Sequence, residues 1–399
     1  MIDRDFLRKS FTQLYQKEPR LFRAPGRVNL IGEHTDYNEG FVLPMAIDRE
    51  TVVAAAARDD SRVRVRAIDV NDAAEFDLSA EGERLRGSWQ DYVEGIARTL
   101  QEKEASLRGA DLMIHSDVPI GAGLSSSSAL EVAVGLALLS LSGLKIEPTA
   151  LALAAQQTEH VYVGINSGIM DQLIAAKGLE GHALLIDCRT LETEQIPLDT
   201  KECAVVICDT RVKHELASSE YNERRRQCER GVELLRDKLL NIHSLRDVSL
   251  EDFQKYEGML PEVIRRRCRH VVTENERTLS AAEALRAGNL ALMGRLMYLS
   301  HESLRDDYEV SCHELDLLVK IASNVEGVVG ARMTGGGFGG CTVNLVLRDA
   351  LEKFQQVISQ KFSEATSYEP ALYVSEPSDG AEEIFYHSYD NFTAQPAAS

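Results

Sequence analysis

The sequence predicts a mixed α/β (α+β) protein of two domains, and three observations carry that expectation. A chain of 399 residues is longer than one ordinary core organises, since single domains run to about 100–200 residues. Its first half alternates strand-like runs such as Arg62-Val63-Arg64-Val65-Arg66 with helical stretches such as Glu131–Leu144. Its second half repeats the mixture. An amphipathic segment runs from Glu220 to Leu240, more helix follows from Thr273 to Leu318, and strand-like runs lie at Gly327–Gly330 and Thr342–Leu347. The boundary is placed within residues 190–205, in a polar loop between short strands around Leu184–Cys188 and Ala204–Cys208. That gives an N-terminal domain of residues 1–199 and a C-terminal domain of residues 200–399.

Composition narrows the function class. Apolar residues at 44% can fill two cores, and charged residues at 27% keep such a chain dissolved. The longest apolar stretch, Ala129–Leu144, is broken by Glu131, Ser140, Ser142 and Gly143 and falls short of the roughly 20 residues that cross a bilayer. The polar N-terminal segment lacks the apolar core of a secretory signal. A cytoplasmic protein with no membrane partner is expected. A formal charge of −19 repels polyanions, so no nucleic-acid partner is expected either. The basic run Arg265-Arg266-Arg267-Cys268-Arg269-His270 reads as a solvated helix face. Seven cysteines, odd in number and without a C-x-x-C pair, fit neither a disulfide framework nor a zinc site and read as reduced, mostly buried thiols. The last twelve residues, from Ser388, read as a frayed tail whose Asn391 sequon has no meaning in the cytosol.

Four segments carry chemistry. In Arg23–Asn38 a turn marked by Pro25-Gly26 leads into a short apolar run and a polar cluster. Arg27, Glu33, His34 and Asp36, within ten residues, offer the cation, carboxylates and imidazole that a polyhydroxylated ligand requires. The alternative is a solvated loop. In Asp117–Glu131, Gly121 and Gly123 free the backbone, and Leu124 leads into Ser125, Ser126, Ser127 and Ser128 at the start of a helical run. That pattern suits a phosphate cradle built on a helix N-terminus, although no Gly-Lys-Ser/Thr follows as a Walker loop would need. An N-capped helix is the simpler reading, but four serines exceed what a cap uses.

The third segment, Met333–Cys341, contains a G-x-G-x-x-G pattern at Gly335, Gly337 and Gly340. It lies late in the chain and precedes a strand-like run, which excludes a dinucleotide fingerprint. Its glycines still demand close approach to a ligand or to another segment of chain. In the fourth, Gln157–Gln172, two carboxylates flank a turn: Glu159 on a helix, and Asp171 just after Gly168. A helix starting after Gly168 would place Asp171 in its first turn, where the macrodipole favours the ionised form and suits a base or a metal ligand. The alternative there is a salt-bridged helix start.

Together these segments resemble the GHMP kinases, whose P-x-x-x-G-L-x-S-S motif is met by Pro119–Ser127 and whose late Gly-rich loop is met by Thr334–Gly340. Within them the resemblance is closest to the galactokinase family. RAPGRVNLIGEHTDYN, GIMDQ, SEYNERRRQCE, SHESLRDDYEVS and RMTGGGFGGC are similar to segments of that family in the same order. The resemblance implies the two-domain GHMP kinase fold with the active site in the cleft between domains. It also implies ATP-dependent phosphorylation of the anomeric O1 hydroxyl of D-galactose, the entry step of galactose catabolism by the Leloir pathway, with Mg²⁺ as cofactor.

Carried over by position, Asp171 becomes the catalytic carboxylate near O1 and Arg27 the cation that orients it. Glu33, His34, Asp36, Gly168 and Tyr221 line the sugar. Gly121, Gly123, Leu124, Ser125, Ser126, Ser127 and Ser128 wrap the phosphates, Ser127 and Glu159 hold the metal ion, and Trp89 and Tyr92 pack beside adenine. Small-molecule substrates and a monomer or weak oligomer are implied. Two departures are visible: Ser128 and Ala129 stand in reverse order, and Ser167 replaces a usual cysteine. A kinase of a related sugar such as N-acetylgalactosamine, or a non-catalytic binding relative, are the competing readings.

Overall fold

The computed structural model describes residues 2–82, 84–103, 105–213 and 217–385. The expected tail from Ser388 and its Asn391 sequon lie outside the described residues. In chain order the elements are α1 (Arg4–Tyr15), β1 (Arg20–Asn29), β2 (Phe41–Val42), β3 (Pro44–Ala57), β4 (Arg62–Ala67), β5 (Asp72–Asp77), α2 (Gln90–Glu102), β6 (Ala110–Ser116), α3 (Ser126–Leu141), α4 (Pro148–Thr158) and α5 (Met170–Lys177). There follow β7 (His182–Asp187), β8 (Thr193–Pro197), β9 (Cys203–Lys213), α6 (Ala217–Leu235), α7 (Leu250–Tyr256), α8 (Glu262–Arg286), α9 (Leu290–Ser303) and α10 (His313–Ala322). β10 (Val328–Thr334), β11 (Gly339–Leu347), α11 (Leu351–Thr366), β12 (Ala371–Ser375) and β13 (Glu382–Ile384) complete the set.

A six-stranded sheet, ordered β13-β1-β3-β6-β4-β5, is antiparallel except between β4 and β6. The helix α3 is apolar on every side because it lies between that sheet and α2, α4 and α5. A second sheet, β10-β11-β9-β12, is wholly antiparallel and packs on α9, α10 and α11. A small sheet, β2-β7-β8, joins the short strand between β1 and β3 to the two strands that precede β9. The last described strand returns to the first sheet. β13 pairs with β1 through Leu21 opposite Ile384, with Arg20 bonded to Glu383 and Arg23 to Glu382.

Three local expectations are corrected. Pro25-Gly26 is not a turn but lies inside β1, where the register shifts between Pro25 and Arg27. A Cβ on Gly26 would sit 2.7 Å from the Leu124 carbonyl, so glycine there admits another loop rather than reversing the chain. The polar stretch before Ala204 contains the strand β8, whose register on β7 buries the single apolar side chain Ile196. The basic run in α8 is not simply solvated, because Arg267 and His270 are buried among α6, α9 and the loop after β1. All seven cysteines are free thiols, five of them buried. No helix among the described residues is long and apolar enough to cross a membrane.

Candidate active site

The site is built where three loops meet. The bulge in β1 aims Arg27 inward, and its backbone N–H donates to the Leu124 carbonyl at 3.1 Å. Leu124 leads into Ser125, whose left-handed backbone (φ 58°) starts α3. The loop from Gly335 to Gly340 then packs against this one. A Cβ on Gly335 would lie 3.0 Å from the Gly123 carbonyl, and one on Gly340 would lie 3.0 Å from the Ala122 carbonyl. The glycines of the third segment thus permit chain to approach chain.

Arg27 is buried and forms a bidentate pair with Asp171, Nε to Oδ1 at 2.8 Å and Nη2 to Oδ2 at 2.7 Å. Its remaining amino group donates to the Gly123 carbonyl at 2.5 Å. Burial opposes its charge, but Asp171, Glu33 and Asp36 together hold the guanidinium above its ordinary pKa. Asp171 stands in the first turn of α5 as expected and accepts a third bond from Ser125 Oγ at 2.5 Å. Ser127 Oγ donates to Glu159 Oε1 at 3.1 Å, and Ser167 Oγ donates to the other oxygen of Glu159. Burial, reinforced by Asp171, pushes the Glu159 carboxyl up to about 7.

Two cavities open from this junction. One, of about 460 Å³, is lined by Trp89, Tyr92, Gly121, Gly123, Leu124, Ser125, Ser126 and Ser127 together with Arg27 and Asp171. Ala67, Val70, Ile114, Ile120 and Leu130 add an apolar part to its lining. Trp89 is held by its Nε1–H, which donates to Asp72 Oδ2 at 2.9 Å. The N-terminus of α3 opens into this cavity and supplies unpaired N–H groups to an anion. Ser128, expected with the other serines, is instead fully buried within α3 and lines neither cavity. One turn further on, Glu131 is buried, and burial, then Glu159, raises its pKa well above the ordinary value.

The other cavity, of about 280 Å³, is lined by Glu33, His34, Asp36, Gly168, Tyr221 and the loop from Gly335 to Phe338, and again by Arg27, Ser127 and Asp171. All five residues expected on this side are therefore brought together. Asp36 Oδ1 accepts from the Tyr37 N–H at 2.9 Å, while Oδ2 faces Gly168 so closely that a Cβ there would lie 1.8 Å away. Burial, then the neighbouring Asp171, pushes Asp36 up to about 7. Glu33 has a partly different role from the expected one. Its Oε1 accepts from the Gly335 N–H at 2.8 Å and lies near Thr334 Oγ1 and Arg332, so it also ties the loop after β1 to the Gly-rich loop.

The support behind this loop was not foreseen. From α8, Glu274 accepts the Gly32 N–H at 3.0 Å, Asn275 accepts the Phe41 N–H at 3.0 Å, and His270 Nε2–H donates to the Glu33 carbonyl at 3.1 Å. Arg332, fully buried on β10, donates to the Asn29 carbonyl at 3.0 Å. These partners lie 234 to 303 residues away in sequence, and no local pattern marks them.

Family models match three stretches of the chain: the galactokinase galactose-binding signature over residues 9–57, the GHMP kinase N-terminal domain over 91–178 and the GHMP kinase C-terminal domain over 281–364. The chain is 54% identical to the galactokinase of Chloroflexus aurantiacus over 355 residues, 89% of this chain and 91% of that protein. It is 49% identical to the galactokinase of Roseiflexus sp. over 381 residues, 95% and 97% of the two chains. Among solved structures, the galactokinase of Lactococcus lactis complexed with galactose matches with a TM-score of 0.90 at 36% identity, covering 95% of this chain and 99% of that one. The mevalonate kinase of Methanococcus jannaschii, at 18% identity and a TM-score of 0.64 over 91% of this chain and all of that one, shares the fold. The chain belongs to the galactokinase family of the GHMP kinases.

Proposed function

We propose that this enzyme transfers the γ-phosphoryl group of ATP to the anomeric O1 hydroxyl of D-galactose, forming galactose 1-phosphate and ADP. The observation that carries the reading is the shared wall: Arg27, Ser127 and Asp171 line both cavities. A nucleotide in the larger and a hexose in the smaller would meet at those three side chains. Trp89 and Tyr92 flank the base, Ser125 to Ser127 and the α3 N-terminus receive the phosphates, and Glu33, His34, Asp36, Gly168 and Tyr221 surround the sugar. The start of β9 at Cys203 supports a division of the chain near residue 200.

Phosphoryl transfer asks little covalent work of the protein, so positioning and electrostatics dominate. Asp171 already accepts three hydrogen bonds, two from Arg27 and one from Ser125. So engaged, it aligns the O1 hydroxyl for in-line attack and takes the proton as the new O–P bond forms, rather than stripping it beforehand. Arg27 holds that carboxylate and balances the charge that spreads over the phosphoryl oxygens.

A divalent cation fits the donors present. Ser127, which lines both cavities, and the ionised form of Glu159, which lines the smaller one, offer hard oxygens 3.1 Å apart. Two such oxygens suffice for Mg²⁺, an ion that keeps waters and shares substrate phosphates with few protein ligands. When bound, such an ion neutralises the phosphates.

The test is ADP release from Mg-ATP with galactose, N-acetylgalactosamine, galacturonate and arabinose. Galactose should give the highest kcat/KM. A uronate should be rejected, because Glu33, Asp36 and Asp171 already crowd the cavity with carboxylates. Faster turnover on N-acetylgalactosamine, or galactose binding with no transfer, would overturn the reading.

A further inference from the structure

We infer that Tyr308 and Tyr37 are positioning residues for the sugar side of the site, holding the His34 ring through a one-way hydrogen-bond chain in the orientation in which its Nε2–H pins the Gly-rich loop across the cleft. The inference rests on the sugar reading of the smaller cavity and adds to it two residues that do not line that cavity.

The chain has four links: Cys228 Sγ to Tyr308 Oη at 3.1 Å, Tyr308 Oη to Tyr37 Oη at 2.8 Å, Tyr37 Oη to His34 Nδ1 at 2.7 Å, and His34 Nε2 to the Gly336 carbonyl at 3.1 Å. Its direction follows from its last member. A carbonyl oxygen only accepts, so Nε2 bears the hydrogen. Burial, then the neighbouring His270, with Arg224 and Arg332 beyond, pushes His34 down to about 3, so the ring is neutral and its other nitrogen must accept. Tyr37 therefore donates to Nδ1. Its single hydrogen is then spent, so Tyr308 donates to Tyr37 and the Cys228 thiol donates to Tyr308.

Packing fixes the same parts. The Tyr308 ring lies 4.9 Å from the His34 ring and 4.5 Å from that of His270, and Tyr221 closes the other side of His34 at 5.4 Å. The Tyr308 carbonyl accepts from Arg224 Nε at 2.8 Å, and the carbonyl of Val310, two residues on, accepts from the Phe338 N–H at 2.7 Å. His34 itself has a left-handed backbone, φ 61°, a conformation that persists only where the surroundings over-determine it. One end of the chain lies in α6, and the other reaches the Gly-rich loop beyond β10. The tyrosines thus couple the loop after β1 to both.

The experiment has two arms on the full-length protein. Long-range ¹H–¹⁵N spectra without ligand at pH 7, with His34 assigned from a His34→Gln sample, should show the neutral Nε2–H tautomer, and Tyr37→Phe should keep that tautomer while moving the Nδ1 resonance downfield, as loss of its donor does. In steady-state kinetics Tyr308→Phe, which removes one hydroxyl and keeps the ring, should raise the KM for galactose about fivefold, as the loss of one hydrogen bond does. The KM for ATP and kcat should stay within about twofold, and Tyr37→Phe/Tyr308→Phe should be no worse than Tyr37→Phe. An Nδ1–H tautomer or an imidazolium in the wild type overturns the inference, as does an equal rise in KM for ATP. A wild type silent on galactose overturns the sugar reading instead, and the ring spectrum still decides the chain.

Discussion

Arg27 grips both carboxylate oxygens of Asp171, at 2.8 and 2.7 Å, across 144 residues of sequence. The guanidinium is nearly buried, at 6% exposure against 27% for the carboxylate. Lysine cannot reproduce that fork. Arg27→Lys should lower kcat for ADP release by at least about a hundredfold, the scale of removing one oriented hydrogen-bond donor from a transition state. Near-wild-type turnover in this variant would mean that the pair is only structural.

Removing the other partner tests the carboxylate. Asp171→Asn keeps the shape but loses the charge that offsets buried Arg27, so both folding and turnover should suffer. Turnover should fall by roughly a thousandfold, and the melting temperature should drop as well, because a buried cation is left without its counter-ion. Binding of ATP, followed by Trp89 fluorescence, should survive in the folded fraction.

Gly168 faces Asp36 with no room to spare. Gly168→Ala would place a methyl group 1.8 Å from Asp36 Oδ2, so the carboxylate or the loop must move. The KM for galactose should rise at least about tenfold, with the KM for ATP little changed. Equal effects on both substrates would show that the loop supports the whole cleft rather than the sugar side.

Asp36 also makes stability depend on pH. Its folded pKa of about 7 stands above the ordinary 3.8 because burial, then Asp171, disfavours the charge. Between those values the folded state binds a proton that the unfolded state releases, so this group's contribution falls as pH rises through the window. Asp36→Asn never ionises. Thermal melts should therefore show the difference between Asp36→Asn and wild type moving in favour of the variant from pH 4 to pH 8. A difference constant across that range would show that Asp36 is not buried in this way.

Trp89 is the only tryptophan in the chain, and it lines the larger cavity alone of the two. Mg-ATP should change its emission and galactose by itself should not. Asp72→Ala, which frees the indole N–H, should alter the emission without ligand and weaken the response to ATP.

Much of this site was legible in the sequence because its chemistry comes in runs. Arg27 to Asp36, Ser125 to Ser127 and Gly168 to Asp171 are short segments whose residue types already pointed to a polyol, a phosphate and a carboxylate. The alternation of strand and helix was likewise legible, because period two and period 3.6 are local properties. What stayed hidden was contact at a distance. His270, Glu274, Arg332 and Tyr308 act on the loop after β1 only once α8, α9 and β10 are packed behind it, and Arg267 is buried for the same reason. Pro25-Gly26 was misread because a glycine that admits a neighbouring carbonyl looks, in one dimension, like a glycine that turns. Ser128 continues the polar run of Ser125 to Ser127 in sequence, yet it is buried because α3 lies between the first sheet and α2, α4 and α5.

The short strand β13 covers one edge of β1, the strand that carries Arg27, and Arg20 is bonded to Glu383 across 363 residues. During synthesis β1 is made early and this neighbour emerges late. Until then the edge of the strand holding the key cation is open to any other extended chain, the situation in which nascent proteins associate wrongly. A cut between Ser375 and Glu382 would recreate that exposure in the finished molecule while leaving every residue of the two cavities in the chain.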